Sequence, residues 1–328
     1  MIASLTGMLA AAQRRAAVLA IVALPPVVLA VVLAACATPE APPLPPRASL
    51  PHDQGRIWQV EGVGIERSYV FGTFHISDPR VIAVPGAVEQ AFAHARIAAF
   101  EYDYGPEDKP TERVARERYE LSEGTTLRSI IGSRAYGKLT NVIQGQRADW
   151  IPNNDLKPWR MWDALGGWRG TFYTSDDDSD PNKPVLDDWL QRRAYAEGKT
   201  VVGLETLEEG FVKYDTIPLP QQVTLLTVLL DNYHRRRAGA PVVQLYLDGD
   251  LGMLMALWNE GLSWYPPEVG QMLDFRILTN RNRIMVERMI PLMEKESTFV
   301  AVGAGHLAGE EGILRLLEQR GFTVTRLH

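Results

Sequence analysis

Cysteine is almost absent. Cys36 is the only one in 328 residues, so no disulfide framework holds the fold, and the length is ample for a core that needs none. Basic clusters are scarce too. Lys and Arg number 34 against 40 Asp and Glu, a formal net charge of −6, and Arg235-Arg236-Arg237 is a short run rather than a stripe. That argues against a nucleic-acid partner. Several catalytic signatures are missing: there is no His-Glu-x-x-His helix, no Gly-x-Ser-x-Gly elbow and no glycine-rich phosphate loop ahead of a helix. The acidic run 175–180 lacks the spacing of an EF-hand and reads as a solvated loop.

The lone cysteine is informative by position. Residues 1–35 hold Arg14 and Arg15, no acid, and an apolar stretch from Ala16 to Ala35, the layout of an export signal. The stretch ends Leu33-Ala34-Ala35-Cys36, which resembles the lipobox of bacterial lipoproteins. Cys36 would then be lipidated and become the first mature residue. Met8 offers a second start and a shorter leader. An uncleaved membrane anchor is the alternative, since the run is about long enough to span a bilayer. Pro25-Pro26 and the small residues before Cys36 favour cleavage. The expected location is the cell envelope, with a lipid anchor in the outer membrane facing the periplasm. Residues 36–55, rich in proline, read as an extended tether.

What the chain does have is one phrase written twice. Tyr69-Val70-Phe71-Gly72-Thr73-Phe74-His75 and Phe299-Val300-Ala301-Val302-Gly303-Ala304-Gly305-His306 are each an apolar strand-like run closing in Gly-x-x-His. Strands are expected over 57–60, 68–71, 96–103, 200–205, 298–302 and 322–327. Helices are expected over 87–94, 110–121, 133–144, 184–198, 219–237, 241–248, 268–295 and 310–319. The order strand, Gly-x-x-His, helix, strand occurs near both ends of the body. This predicts an α/β fold of residues 56–328: two βαβ-type halves, each with a parallel pair, share one mixed sheet around a large helical insertion.

Ligands in such sheets bind beyond the C-terminal strand ends. There the sequence places His75, Glu101 with Asp103, Glu205 and His306. Imidazole with carboxylate suits Zn²⁺, Mn²⁺, Fe²⁺ or Co²⁺, and equally suits general acid–base work without metal. Glycine three residues before each histidine lets the backbone turn sharply or another group come close. Glu205 also reads as an acid favoured at a helix N-terminus, and Asp103 as a solvated acid.

These residues carry a resemblance. Tyr69–His75, Phe100-Glu101-Tyr102-Asp103, Val202-Gly203-Leu204-Glu205-Thr206, Arg281-Asn282 and the closing Gly303-Ala304-Gly305-His306-Leu307 resemble the TraB/GumN family, related to the Tiki proteins, from about Arg56 to Leu327. The resemblance implies an α/β core with paired Gly-x-x-His motifs and a divalent metal (Mn, Co or Zn), as in the metal-dependent Tiki proteases. Haem-binding ChaN-like and erythromycin esterase-like proteins look like more distant relatives. Carried over by position, His75, His306 and Glu101 would hold the metal. Glu205, Arg281 and Asn282 would surround it, with Arg281 neutralising a developing oxyanion. A peptide or other acyl bond is the implied substrate. A metal- or haem-capturing lipoprotein without turnover, or an envelope polysaccharide assembly factor, are the other readings. Where the family usually has glutamine after Gly-Leu-Glu-Thr-x-Glu-x, this chain reads Glu208-Glu209-Gly210-Phe211.

Overall fold

The computed structural model describes residues 43–105, 118–146, 152–167, 172–173 and 184–328. The leader, Cys36 and the start of the tether lie outside these residues, as do the acidic run 175–180 and most of the helix expected over 110–121.

Six strands form one mixed sheet: β1 (Ile57–Glu61), β2 (Ser68–Thr73), β3 (Ile97–Tyr102), β4 (Thr200–Glu205), β5 (Thr298–Gly303) and β6 (Thr323–Arg326). Their order across the sheet is β4-β3-β5-β2-β1-β6. The first four are parallel; β1 runs antiparallel to both β2 and β6. The α/β class and the mixed sheet are as expected. The direct parallel pair within each half is not. β5 stands between β2 and β3, and β2 with β1 stands between β5 and β6, so the two units interlock. Register separates the repeated phrases as well, because Thr73, not Gly72, lies opposite Gly303.

The central strands are apolar almost throughout because helices cover the sheet. The helices that matter for the site are α1 (Gly86–His94), α2 (Leu127–Gln146, kinked at Gly132), α3 (Pro158–Ala164), α4 (Leu186–Ala196), α5 (Leu207–Asp215), α6 (Leu219–Asn232), α7 (Leu251–Leu262), α8 (Asn280–Lys295) and α9 (Ile313–Gln319). Met285, Met289 and Met293 recur at helical spacing on α8, and Leu186, Leu190 and Ala194 on α4; all six are buried against the sheet. Phe299 of β5 meets Phe92 of α1 edge-on at 5.2 Å and Phe71 of β2 at 6.0 Å. Each such side chain removed from water contributes about 1.5–3 kcal/mol.

A second apolar cluster is built mainly from helices and contains no residue of the sheet. Leu225, Leu226, Leu229 and Leu230 of α6 pack with Trp159 and Trp162 of α3 and Leu127 and Leu139 of α2. The buried Trp162 indole donates to the Tyr265 hydroxyl at 3.0 Å. Helices α3, α5 and α7 carry no expectation from periodicity. The helix expected over 268–295 is three pieces: Pro267–Asp274, a π-helical turn Phe275–Thr279, and α8.

The second part of the expected tether is laced to the body. Arg47 donates to Asp53 at 2.7 Å and to Asp250 at 2.8 Å, Gly252 N–H donates to the Asp53 carbonyl at 2.8 Å, and His52 lies 3.1 Å from Glu318. Among the described residues no helix is long and apolar enough to cross a membrane.

Candidate functional site

Strand β3 is buried from Ile97 through Phe100 and then presents Glu101, itself 8% exposed. A carboxylate in that position needs charged and hydrogen-bonding partners. It finds four. One oxygen accepts the Gly303 N–H at 2.8 Å and stands 3.7 Å from the Nε2 atoms of both His75 and His306. The other accepts from Arg281 at 2.5 Å. Burial alone would raise the Glu101 pKa, but Arg281, His306 and His75 together hold it well below the usual carboxylate range.

Arg281 sits at the start of α8, immediately after the π-helical turn, a local widening often found at functional sites. Its Nε faces both oxygens of Glu205 at 3.0 and 2.9 Å. Its terminal nitrogens reach Glu101, Glu205, the Tyr102 hydroxyl, the Ile277 carbonyl and His306. All five N–H groups therefore have protein acceptors, and none is left over for a developing oxyanion. Burial works against the guanidinium charge, yet the two carboxylates raise its pKa further.

The two histidines come from the same motif and differ in surroundings. Asn282 donates to the Glu311 carbonyl through its amide nitrogen at 2.7 Å, so its oxygen is the acceptor facing His306 Nδ1 at 2.6 Å. His306 thus carries its proton on Nδ1 and offers the Nε2 lone pair, which accepts from Arg281 at 3.0 Å. Burial, reinforced by the Arg281 charge, pushes its pKa down to about 3. His75 is 38% exposed at its side chain, and its Nδ1 lies 2.8 Å from Asp187, whose other oxygen accepts from Thr73 at 2.5 Å. Burial opposes a charged ring there, but Asp187 and Glu101 outweigh it and raise the pKa well above 6.5.

The glycines act by close approach, and neither has a positive φ. A Cβ on Gly303 would stand 3.1 Å from the Glu101 carboxylate and 3.4 Å from His75 Nε2, filling the space between them. A Cβ on Gly72 would instead meet Leu307 at 2.7 Å and the backbone of Ala304 at 3.2 Å. One glycine keeps the centre open; the other admits the turn of the neighbouring strand.

Of the residues expected at the strand ends, all but Asp103 are brought together. His75, Glu101, Arg281 and His306 line a cavity of about 560 Å³ between the strand ends and the helical cluster. Glu205 and Asn282 stand behind them, on Arg281 and His306 respectively. Asp103 is engaged elsewhere, accepting from the Tyr195 hydroxyl at 2.6 Å. Asp187 and Lys213, which also line the cavity, carry no signal in the sequence. Asp187 lies in the first turn of α4 and reads in sequence as an acid favoured by the helix dipole.

The donor set suits a divalent ion. Two imidazole nitrogens face one carboxylate oxygen, the outer nitrogen of each ring is tied to a carboxylate or amide oxygen, and the space between is kept clear by a glycine. Two donors ~2.1 Å from one tetrahedral ion stand about 3.4 Å apart, within a few tenths of the spacings seen. As they stand, no three such side chains among the described residues close to coordinating distance, and the Arg281 guanidinium lies against two of them.

Several curated proteins are similar to this chain in sequence. A "Metalloprotease TIKI homolog" of Amphimedon queenslandica is 23% identical over 316 residues, covering 83% of this chain and 61% of the relative. A second, of Nematostella vectensis, is 24% identical over 303 residues, covering 78% and 64%. "Metalloprotease TIKI2" of Danio rerio is 24% identical over 305 residues, covering 78% and 58%. The chain thus spans about three-fifths of the length of these curated relatives. No solved structure matches it. The TraB/PrgY/gumN family matches residues 56–326, from the first residue before β1 to the last of β6, so the whole sheet and every residue of the centre fall inside the match, and the chain belongs to that family.

Proposed function

We propose that the protein is a metal-dependent hydrolase of peptide bonds, with His75, His306 and Glu101 holding one divalent ion. The observation that carries this reading is the convergence of both Nε2 atoms on a single Glu101 oxygen. The relatives' name, metalloprotease, supports it. Bound there, an ion would supply Lewis acidity and a water of lowered pKa. The chain's own residues prepare the place. Asn282 keeps the His306 proton on Nδ1, and Asp187 holds the His75 ring. Arg281 balances the charge of Glu101 and Glu205, both of them buried. The family resemblance points to Mn, Co or Zn without choosing among them. Export and lipidation at Cys36 complete the reading and would place the site in the cell envelope.

The test is metal analysis of the full chain after equilibration with manganese, cobalt or zinc, alongside a peptide-cleavage screen. About one ion per chain is expected for a single centre. His75→Ala and His306→Ala should each abolish retention while the circular dichroism spectrum survives. Absence of bound ion with all three metals would sink the proposal. Mass spectrometry of Cys36 checks the anchor, which Cys36→Ser should remove.

A further inference from the structure

Lys213 is a cation that the centre does not use. It projects from α5 into the cavity, and its ammonium donates to the Tyr102 hydroxyl at 3.0 Å, with the rings of Tyr214 and Tyr102 at 5.1 and 5.5 Å. No carboxylate among the described residues lies within ion-pair distance of it. Tyr102 is in a similar position. Its oxygen already accepts from Lys213 and, at 3.3 Å, from Arg281, so its own O–H is left to donate elsewhere. Burial raises the Tyr102 pKa well above 10, and the hydroxyl keeps its proton.

Two ammonium hydrogens and one phenolic hydrogen are therefore presented at one end of the cavity with no acceptor among the described residues. Both side chains are half-buried at the cavity wall, and the acceptor that an ammonium and a phenol together fit best is an anionic oxygen. The same cavity has apolar walls. Trp159 stacks on Tyr214 at 5.5 Å, Phe211 meets Tyr119 at 5.6 Å, and Trp258 faces the cavity beside Met255.

We propose that Lys213 and the Tyr102 hydroxyl bind the C-terminal carboxylate of a peptide whose last side chain is apolar, which would make the enzyme act near free C-termini. Position supports the step from site to substrate. Tyr102 links Lys213 to Arg281, and Arg281 touches Glu101. Each extended residue spans only ~3.5 Å, so a carboxylate held at Lys213 leaves a peptide bond one or two residues away at the candidate metal centre. The cavity volume suits a few residues rather than a long chain.

The identity of the ligand rests on the peptidase reading, but its test does not need turnover. N-acetyl-leucyl-phenylalanine as the free acid, the same compound as its amide, and N-acetyl-leucyl-glutamic acid α-amide, whose C-terminus is blocked and whose side-chain carboxylate is free, are titrated into the full chain. Binding is read from the fluorescence of the tryptophans. The free acid should bind roughly tenfold or more tighter than the amide, as a charge-assisted hydrogen bond implies. The preference should vanish in Lys213→Met, which keeps the apolar stem, and survive in Lys213→Arg, with circular dichroism confirming that both variants fold. Equal binding of acid and amide, no saturable binding of either, or a preference retained in Lys213→Met overturns the proposal. Stronger binding of the side-chain carboxylate than of the terminal one overturns the assignment to a C-terminus. If the preference holds while no metal is ever retained, the subsite stands and the peptidase reading falls.

Discussion

His75 and His306 follow glycine at the same spacing, yet the His306 side chain is 6% exposed between an amide and a guanidinium, while that of His75 is 38% exposed between two carboxylates. One ring is held neutral and the other is drawn toward the charged form. The difference teaches that a repeated motif specifies where a side chain leaves the sheet, while the elements packed above it specify its chemistry. Asn282 and Arg281 reach His306 from α8; Asp187 reaches His75 from α4.

The strongest way to disturb this comparison is to remove its common counter-ion. Arg281→Met leaves Glu101 and Glu205 buried without their cation and should cost about 3–5 kcal/mol in denaturant unfolding. A loss below about 1 kcal/mol would mean that the guanidinium is not what holds the centre together.

Removing each ring comes next. His306→Ala strips partners from buried Asn282 and Arg281 and should cost about 3 kcal/mol, whereas His75→Ala should cost about 1 kcal/mol, because Asp187 keeps its bond to Thr73. Equal costs, measured by the same unfolding titration, would erase the distinction between the two turns.

The glycines sharpen it. Gly72→Ala, pressed against the Ala304 backbone, should lose about 1–3 kcal/mol and still retain metal. Gly303→Ala should lose metal retention first, since its Cβ enters the space between Glu101 and His75. The reverse pattern would assign the wrong glycine to the centre.

The smallest effect is on pH dependence in chelator-treated protein. The His75 value in the folded state is raised, so its contribution to stability is complete below about pH 6.5 and fades as pH climbs through the folded value. His306 is lowered to about 3, so the unfolded chain takes its proton first, and stability falls as pH drops from 6.5 toward 3. Proton NMR titration of the two rings should show them well separated, and Asp187→Asn should move only His75, downward. A single shared titration would contradict the assignment.

Much of the centre is legible in the linear chain because a strand that is apolar up to its last residues announces its end. Glu101, Glu205 and Gly303 each follow such a run, and the structure gathers all three. Asp187 and Lys213 are not legible. An acid in the first turn of a helix and a lysine in the last turn of one are ordinary surface residues by pattern. The strand order is equally hidden, since β2, β3 and β5 are similar apolar runs and any could neighbour any other.

By itself the sequence determined the α/β class, the strand ends and the pair of histidines, because burial of alternating and continuous apolar runs is a local constraint on each segment. Only the tertiary structure decided that β5 inserts between β2 and β3, that Arg281 is consumed by carboxylates, and that the two rings differ in charge. Those outcomes depend on charges and donors brought together from segments far apart in the chain, and electrostatic interaction in a buried site is set by distance and solvent exclusion, which no local pattern encodes.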